Sequence, residues 1–205
     1  MWDKETEWTL SHVAKFYDSR KVGDVGPLGF RRSSDLQTLL KCMKTLVEKG
    51  LLSPEATFLD MGCGDGRVNV FMSYLVKASV GVEMDEWTLD EYQPLKKQLD
   101  QYLESAGIRL PSQNIHLFYG DASDELLHER IETHIGFGFR DFDFFYTYLV
   151  MHEEFSRLIA EKAKPGAIFM VYGVNKVLPR YDGLKLMEDL SPMEGILALY
   201  RKEEA

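Results

Sequence analysis

The sequence predicts an α/β fold built on a seven-stranded, mostly parallel sheet with helices on both faces. Two observations carry this prediction. Between residues 57 and 173, five short apolar runs alternate with helix-like amphipathic runs, and such alternation is typical of parallel strands joined by crossover helices. Near the end, "GLKLMEDL" and "GILALYRK" are separated only by "SPME", which favours an antiparallel C-terminal hairpin because a parallel crossover needs more residues.

Two helices precede the first strand. The run "KETEWTLSHVAKFYDS" places Trp8, Val13 and Phe16 close to helical spacing, and "VGDVGPLGF" then breaks the pattern. The run "SSDLQTLLKCMKTLVEKG" begins with a capping serine and ends at Gly50, which predicts an amphipathic helix. The later elements follow in order: strands at 57–61, 79–83, 114–119, 142–148 and 167–173, and helices at 65–77, 86–106, 123–133 and 152–163.

Composition limits the functions that this chain can have. It has 205 residues, with 33 acidic and 24 basic side chains and a net charge of −9, which argues against a nucleic-acid partner. Cys42 and Cys63 show neither CxxC spacing nor a neighbouring histidine cluster, so we expect no metal site and a reducing, cytoplasmic environment. We find no signal peptide and no apolar run of membrane-spanning length, so we expect no membrane association.

A glycine-rich turn, "FLDMGCGDGRVNV", follows the first predicted strand and contains Gly62, Gly64 and Gly66. In open α/β sheets, ligands bind beyond the carboxyl ends of the strands, where glycine lets the backbone approach the ligand. The dinucleotide fingerprint G-x-G-x-x-G places its last glycine one residue later. A nicotinamide site is therefore an alternative and not the first choice.

The next two strands also end in carboxylates. Glu83 lies 17 residues after Gly66, a spacing that suits the two hydroxyls of a ribose. Asp121 ends the third strand, where it could accept a hydrogen bond from an adenine amine while Ala122 leaves room for the base. Three successive strand ends therefore carry polar groups suited to an adenosine.

The motifs "FLDMGCGDG", "VGVEMD" and "YGDAS", together with the terminal hairpin, resemble the class I, Rossmann-like S-adenosylmethionine-dependent methyltransferases over residues 34–201. The resemblance implies that S-adenosyl-L-methionine is the cofactor. It implies that Asp60 and the loop containing Gly62, Cys63, Gly64 and Gly66 hold the methionine part, that Glu83 holds the ribose, and that Asp121 and Ala122 hold the adenine.

The segment after the fourth strand of that fold faces the reactive methyl group, and here it reads "DFDFFYTYLVMHEE". Tyr146 is expected to contact both cofactor and acceptor, and Tyr146, Tyr148 and His152 are candidate catalytic residues. Methyltransferases that act on the amino groups of adenine and cytosine carry the motif N/D-P-P-Y/F at this position. This chain lacks the motif, which argues against methylation of base amino groups. A weaker resemblance, through "DMGCGDGR", "YTYLVMHEE" and "VNKVLPRYDG", is to small lysine methyltransferases of the ATP synthase c-subunit type. It suggests a protein lysine as acceptor, and the acid excess of the chain favours a protein amine or a small molecule over nucleic acid.

The chain is expected to divide into an N-terminal helix and loop at 1–33 and a methyltransferase domain at 34–205. The N-terminal segment, including Tyr17, could close over the cofactor as a lid, with Arg31 or Arg32 reaching the methionine carboxylate. Two other functions stay open on sequence grounds: an NAD(P)-dependent oxidoreductase and a nucleoside-binding module without catalysis.

Overall fold

The computed structural model describes residues 2–20, 33–175 and 177–204. The glycine-rich run "VGDVGPLGF" and the arginines Arg31 and Arg32 lie outside these ranges, so the lid stays a prediction. Across the three described ranges, the helices are too short or too polar to cross a bilayer.

The sheet has seven strands in the order β3-β2-β1-β4-β5-β7-β6. The strands are β1 Thr57–Met61, β2 Ala78–Glu83, β3 Ile115–Tyr119, β4 Phe144–Tyr148, β5 Ile168–Tyr172, β6 Leu184–Leu186 and β7 Leu197–Lys202. The first five are parallel, and β7 lies antiparallel between β5 and β6. The chain builds outward from β1 to β3 and then returns to place β4 beside β1. This reversal is the point at which such sheets bind ligands.

Seven α-helices flank the sheet within the described part of the chain. They are α1 Lys4–Asp18, α2 Leu36–Glu48, α3 Arg67–Met72, α4 Glu86–Asp90, α5 Tyr92–Ser105, α6 Glu125–Ile135 and α7 His152–Lys162. The predicted α/β fold with helices on both faces is confirmed. Most of the predicted boundaries after residue 57 agree to within two residues, and three regions differ by more.

The predicted helix at 86–106 is two helices, α4 and α5, that meet at Glu91. Pro94 lies in the first turn of α5. Because proline has no N–H and its ring clashes with the carbonyl four residues earlier, it cannot continue a helix from Asp90. The prediction of one continuous helix was wrong for this reason.

The predicted helix at 65–77 is also shorter, since α3 ends at Met72. The side-chain amide of Asn114 donates to the backbone carbonyls of Ser73 and Val76, at 3.2 and 2.7 Å. These carbonyls therefore find partners without further helical turns. At the C-terminus, the two hairpin strands are joined by residues 187–196, a longer connection than the four residues expected.

Alternate side chains of the strands enter two separate cores. Phe58 and Phe144 pack with α1, α2, α3 and α5 in one core. Leu59 and Phe145, their chain neighbours, pack with α6 and α7 in the other. Successive side chains of a strand point to opposite faces, so every central strand contributes to both cores.

Helix α1 buries Val13 and partly buries Phe16, as its spacing predicts, but not Trp8. Leu10, Val13 and Tyr17 are fully buried in the first core, whereas Trp8 is 61% exposed. The following helix, α2, is capped by Asp35, whose carboxylate accepts from Thr38 N at 2.6 Å, and not by the preceding serine. The prediction of a serine cap was therefore wrong.

A buried tyrosine in α1 offers a test of this packing. The hydroxyl of Tyr17 has no hydrogen-bond partner among the described residues, and an unpaired buried polar group destabilises a fold. We expect Tyr17→Phe to raise the free energy of unfolding by about 1 kcal/mol, measured by urea denaturation.

Tyr200 supplies the matched control, because it is equally buried but donates to the carbonyl of Pro179 at 2.8 Å. Tyr200→Phe should lower the free energy of unfolding by about 1 kcal/mol. A loss of stability in both variants would show that Tyr17 has a partner.

Candidate functional site

A cavity of about 300 Å³ opens at the carboxyl ends of β1, β2 and β4. Its wall includes the glycine loop after β1, the end of β2, the turn after β3 and the segment after β4. Of the residues that sequence motifs place at the cofactor, all except Gly66 line this cavity. The parallel register of β1 with β2 and β4 brings these distant segments together.

Glycine is required at the three loop positions for different structural reasons. Gly62, Gly64 and Gly66 have φ angles of +110°, +56° and +73°, which disfavour residues with a Cβ. A Cβ on Gly66 would also lie 2.8 Å from side-chain carbons of Leu117 and Tyr92. At Gly62 no atom of the described residues lies within 4 Å of an added Cβ, so this part of the chain leaves open space beside the loop.

The N–H groups of this loop are used inside the protein. Gly62 and Cys63 both donate to the carbonyl of Val82 at 2.9 Å, and Gly66 donates to the carbonyl of Cys63 at the same distance. Gly64 donates to the Glu83 carboxylate at 2.9 Å. The backbone of the loop is therefore held by internal hydrogen bonds, and these four amides are not available for an anionic ligand.

Asp60 is the most deeply buried carboxylate of the cavity. Its side chain is 1% exposed, and Oδ1 has no hydrogen-bond partner among the described residues. Burial raises the pKa of Asp60 well above its ordinary value, and the charges of Glu83 and Asp65 raise it further. A buried polar atom without a partner in a cavity wall is a place where a ligand can donate a hydrogen bond.

Glu83 is held at the end of β2 by the backbone. Its Oε2 accepts from Gly64 N and its Oε1 from Asp85 N, both at 2.9 Å. Each carboxylate oxygen can accept more than one hydrogen bond, so both oxygens keep capacity for a ligand. The geometry presents a fixed, half-buried carboxylate to the cavity.

The turn after β3 brings Asp121 and Ala122 to the same cavity. Oδ1 of Asp121 accepts from both the N–H and the hydroxyl of Ser123, at 2.8 and 2.7 Å. The carboxylate is therefore fixed in orientation before any ligand arrives.

Asp65 and Arg67 form a buried ion pair beside the loop. The guanidinium donates to both carboxylate oxygens, the closest contact being 2.7 Å, and lies over the ring of Tyr17 at 5.6 Å. Asp65 also accepts from Arg67 N. This pair attaches the start of α3 to α1, and it neutralises a basic residue in the cavity wall.

The fourth strand contributes two tyrosines with different environments. Tyr146 is buried, and its hydroxyl forms a hydrogen bond with the hydroxyl of Ser34. Burial raises the pKa of Tyr146 well above its ordinary value, against a smaller lowering by that bond. Tyr148 is half-buried, lines the cavity and packs beside Tyr172, with ring centroids 5.5 Å apart.

His152 lies apart from these tyrosines. It begins α7, and its Nδ1 shares a hydrogen bond of 2.6 Å with the hydroxyl of Tyr181. The side chain lines a separate depression with Leu149 and Val174. The cavity therefore contains Tyr146 and Tyr148 but not the third candidate catalytic residue.

Several cavity residues were not foreseen from the sequence. Ser34 was interpreted as a helix cap, yet its hydroxyl contacts Tyr146, which is 112 positions away. Met151 lines the cavity with a left-handed φ of +53°, which only a three-dimensional structure reveals. Thr88 also lines the cavity, where its hydroxyl bonds to Asp85, and "DEWT" is a capping pattern that could have indicated this contact.

Comparisons with known proteins identify the fold. No protein-family model matches the sequence, and no curated protein does. The structure is similar to tRNA (m1A58) methyltransferase TrmI from Aquifex aeolicus, with a TM-score of 0.57 and 14% identity over 96% of this chain and 77% of that one. The chain has the class I methyltransferase fold.

Two further solved structures support this. A putative methyltransferase from Escherichia coli gives a TM-score of 0.53 at 15% identity, over 91% of this chain and 92% of that chain. An RNA methyltransferase from Salinibacter ruber, in complex with S-adenosyl-L-homocysteine, gives a TM-score of 0.51 at 14% identity, over 85% of this chain and 95% of that chain. Identities this low show the fold alone. The resemblance to small lysine methyltransferases rests on sequence motifs and stays a prediction.

The raised pKa of Asp60 predicts a pH-dependent stability. In the unfolded chain an aspartate ionises near a pKa of about 4, whereas burial keeps Asp60 protonated to higher pH in the folded chain. Between these two values the folded state binds more protons, so the free energy of unfolding falls as the pH rises. Asp60→Asn should remove this fall and stabilise the ligand-free protein at pH 7 by at least about 1 kcal/mol.

Urea denaturation at several pH values between about 4 and 8 measures this effect. The increase in the free energy of unfolding that Asp60→Asn produces should become smaller as the pH is lowered towards about 4. Asp90→Asn, at an exposed position of α4, is the control and should change little. A constant difference at all pH values would contradict the assigned cause.

Proposed function

We propose that this chain is an S-adenosyl-L-methionine-dependent methyltransferase whose acceptor is an amine of a protein, such as a lysine, or of a small molecule. The observation that supports the cofactor best is the position of Asp60, Glu83 and Asp121 in the wall of one cavity. They stand at the ends of three successive strands, and Oδ1 of Asp60 is buried without a hydrogen-bond partner among the described residues.

The residues present fit this cofactor. Oδ1 of Asp60 would accept a hydrogen bond from the methionine part, which the loop with Gly62 and Gly64 would also hold. Glu83 would hold the ribose hydroxyls, and Asp121 with Ala122 the adenine. S-adenosyl-L-methionine supplies, when bound, a methyl group on a positively charged sulfur. The protein's contribution is orientation, which can lower such a barrier by about 7–11 kcal/mol.

The glycine loop distinguishes this cofactor from a dinucleotide. A pyrophosphate needs free N–H groups at the start of the helix that follows the loop. Here Gly62, Cys63, Gly64 and Gly66 donate within the protein, and Arg67 N donates to Asp65. The NAD(P)-dependent oxidoreductase is therefore the weaker candidate.

The tyrosines of β4 have roles that follow from their environments. Because the pKa of Tyr146 is raised by burial, its phenol stays protonated at neutral pH and cannot accept a proton from the acceptor. Tyr146 therefore orients groups through its hydroxyl, together with Ser34. The side chain of Tyr148 lines the cavity, where its aromatic ring would hold an amine by cation–π attraction. His152 lies outside the cavity and has no part in this proposal.

The charge of the cavity supports an amine acceptor. Six carboxylates line it: Asp60, Asp65, Glu83, Asp85, Glu91 and Asp121. Arg67 is the one basic residue of the described lining, and it is paired with Asp65. Such a surface attracts cations and repels phosphates. The RNA and tRNA methyltransferases named above share the fold, but this charge argues against a nucleic-acid acceptor here.

Calorimetry with S-adenosyl-L-methionine, S-adenosyl-L-homocysteine and NAD tests the cofactor directly. Binding of the first two and not of NAD is expected. Binding of NAD alone would overturn the proposal, and binding without methyl transfer to any acceptor fraction would favour a nucleoside-binding module.

Glu83 should decide the affinity for the cofactor. Glu83→Ala removes charge-assisted hydrogen bonds to the ribose, so Kd for S-adenosyl-L-homocysteine should rise by about 10- to 100-fold in calorimetry. Because Glu83 also anchors Gly64 N, the Glu83→Gln variant is needed to separate the loss of charge from the loss of the side chain. Glu86→Ala, at an exposed position of α4, is the control. An unchanged Kd in folded Glu83→Ala protein would refute the assignment.

Tyr148 should affect transfer and not cofactor binding. Tyr148→Ala is expected to lower the rate of labelled-methyl transfer by about 2- to 30-fold, through the lost aromatic face. Tyr148→Phe keeps that face and should retain most of the rate. Transfer into protein, metabolite and nucleic-acid fractions of a cell lysate gives the readout, with the Kd of S-adenosyl-L-homocysteine measured alongside. Label found only in the nucleic-acid fraction would show that the proposed acceptor is wrong.

A further inference from the structure

The turn Gly120–Ser123 is packed on the first two turns of α6. Gly120 has a φ of +149°, and a Cβ there would lie 3.0 Å from a methyl carbon of Leu127. The N–H of Asp124 donates to the carbonyl of Asp121 at 3.0 Å. The position of the turn, and with it that of Asp121 and Ala122, therefore depends on α6.

One side chain of α6 holds this turn directly. Nε2 of His128 lies 2.8 Å from the carbonyl oxygen of Ala122. A carbonyl oxygen can only accept, so Nε2 must carry the proton. The ring packs against Phe139, with centroids 4.6 Å apart, and this contact fixes its orientation.

The surroundings of His128 favour the neutral ring. Burial lowers the pKa of His128, the bond to Ala122 opposes this, and Lys162 lowers it further, whereas Asp124 and Glu125 raise it. The hydrogen bond to Ala122 forms in two protonation states of the ring, because Nε2 carries a proton both in this neutral tautomer and in the charged ring. The contact is thus independent of the protonation of Nδ1.

We propose that His128 is a positioning residue that sets the nucleobase selectivity of the cavity, by holding the Ala122 peptide and with it the Asp121 carboxylate. The inference rests on the proposed function. An ionised carboxylate only accepts hydrogen bonds, so it favours the amine of adenine over the carbonyl oxygen of hypoxanthine. This preference requires Asp121 at a fixed distance from the base, because hydrogen bonds weaken steeply with misalignment.

The test compares S-adenosyl-L-homocysteine with S-inosyl-L-homocysteine, its hypoxanthine analogue, by calorimetry. His128→Leu keeps the bulk but removes the donor, and should raise Kd for S-adenosyl-L-homocysteine about 3- to 10-fold while changing Kd for the analogue less. The ratio of the two affinities should fall. His128→Gln carries an N–H near the position of Nε2 and should keep both affinity and ratio.

His134→Leu is the matched control, since His134 lies on the same helix and contacts His116 and Phe118 instead of the turn. An unchanged ratio in folded His128→Leu protein, or an equal loss for both ligands, would overturn the inference and leave the proposed function standing. An Nδ1–H tautomer of His128 in nitrogen-15 NMR of the ligand-free protein would overturn it as well. If the unaltered protein binds neither S-adenosyl-L-methionine nor S-adenosyl-L-homocysteine, the proposed function fails and this inference fails with it.

Discussion

The parallel pairing of β1 with β2 on one side and β4 on the other is the constraint on which the cavity depends. In this register Asp60 stands between Gly81 and Tyr146. A residue larger than glycine does not fit at position 81, because a Cβ there would lie 2.6 Å from the amide oxygen of Asn69 and 2.8 Å from Cβ of Cys63. The close approach at Gly81 lets the glycine loop fold back onto the end of β2. A shift of one residue would turn Asp60 to the other face of the sheet.

Burial of charge in this cavity has a thermodynamic cost that a ligand could remove. Asp60 is buried with the carboxylates of Glu83 and Asp65 nearby, so its ionisation is unfavourable in the ligand-free protein. A cation that enters the cavity relieves this repulsion, and by linkage the protein gains stability as the ligand binds. The same residues would thus link the stability of the protein to its affinity for a positively charged ligand.

The sequence was sufficient to predict the fold and to predict which polar side chains lie at the strand ends. Apolar alternation located β1 to β5, and the carboxyl ends of parallel strands meet at one edge, so Asp60, Glu83 and Asp121 could be placed together without a structure. The break at Pro94 could also have been foreseen from the chemistry of proline.

Contacts between distant segments could not be foreseen. In the run "SSD" each residue is a plausible helix cap, and only tertiary packing assigns the cap to Asp35 and directs Ser34 towards Tyr146. His152 follows the right strand, but α7 turns its ring towards Tyr181. Similarly, Trp8 fits the helical spacing of α1 together with Val13, yet its side chain is 61% exposed and Val13 is buried.

The insertion of β7 between β5 and β6 has a consequence for folding during synthesis. Strand β6 leaves the ribosome before β7, yet its hydrogen-bonded neighbour in the sheet is β7. Until Leu197–Lys202 has emerged, β5 presents an open, apolar edge, and β6 has no strand to pair with. Such unpaired edges invite association with other chains. The nascent chain therefore passes through an interval, after β5 has emerged and before β7 has, in which this edge is open to association with other chains although β1 to β5 are already available to form the core.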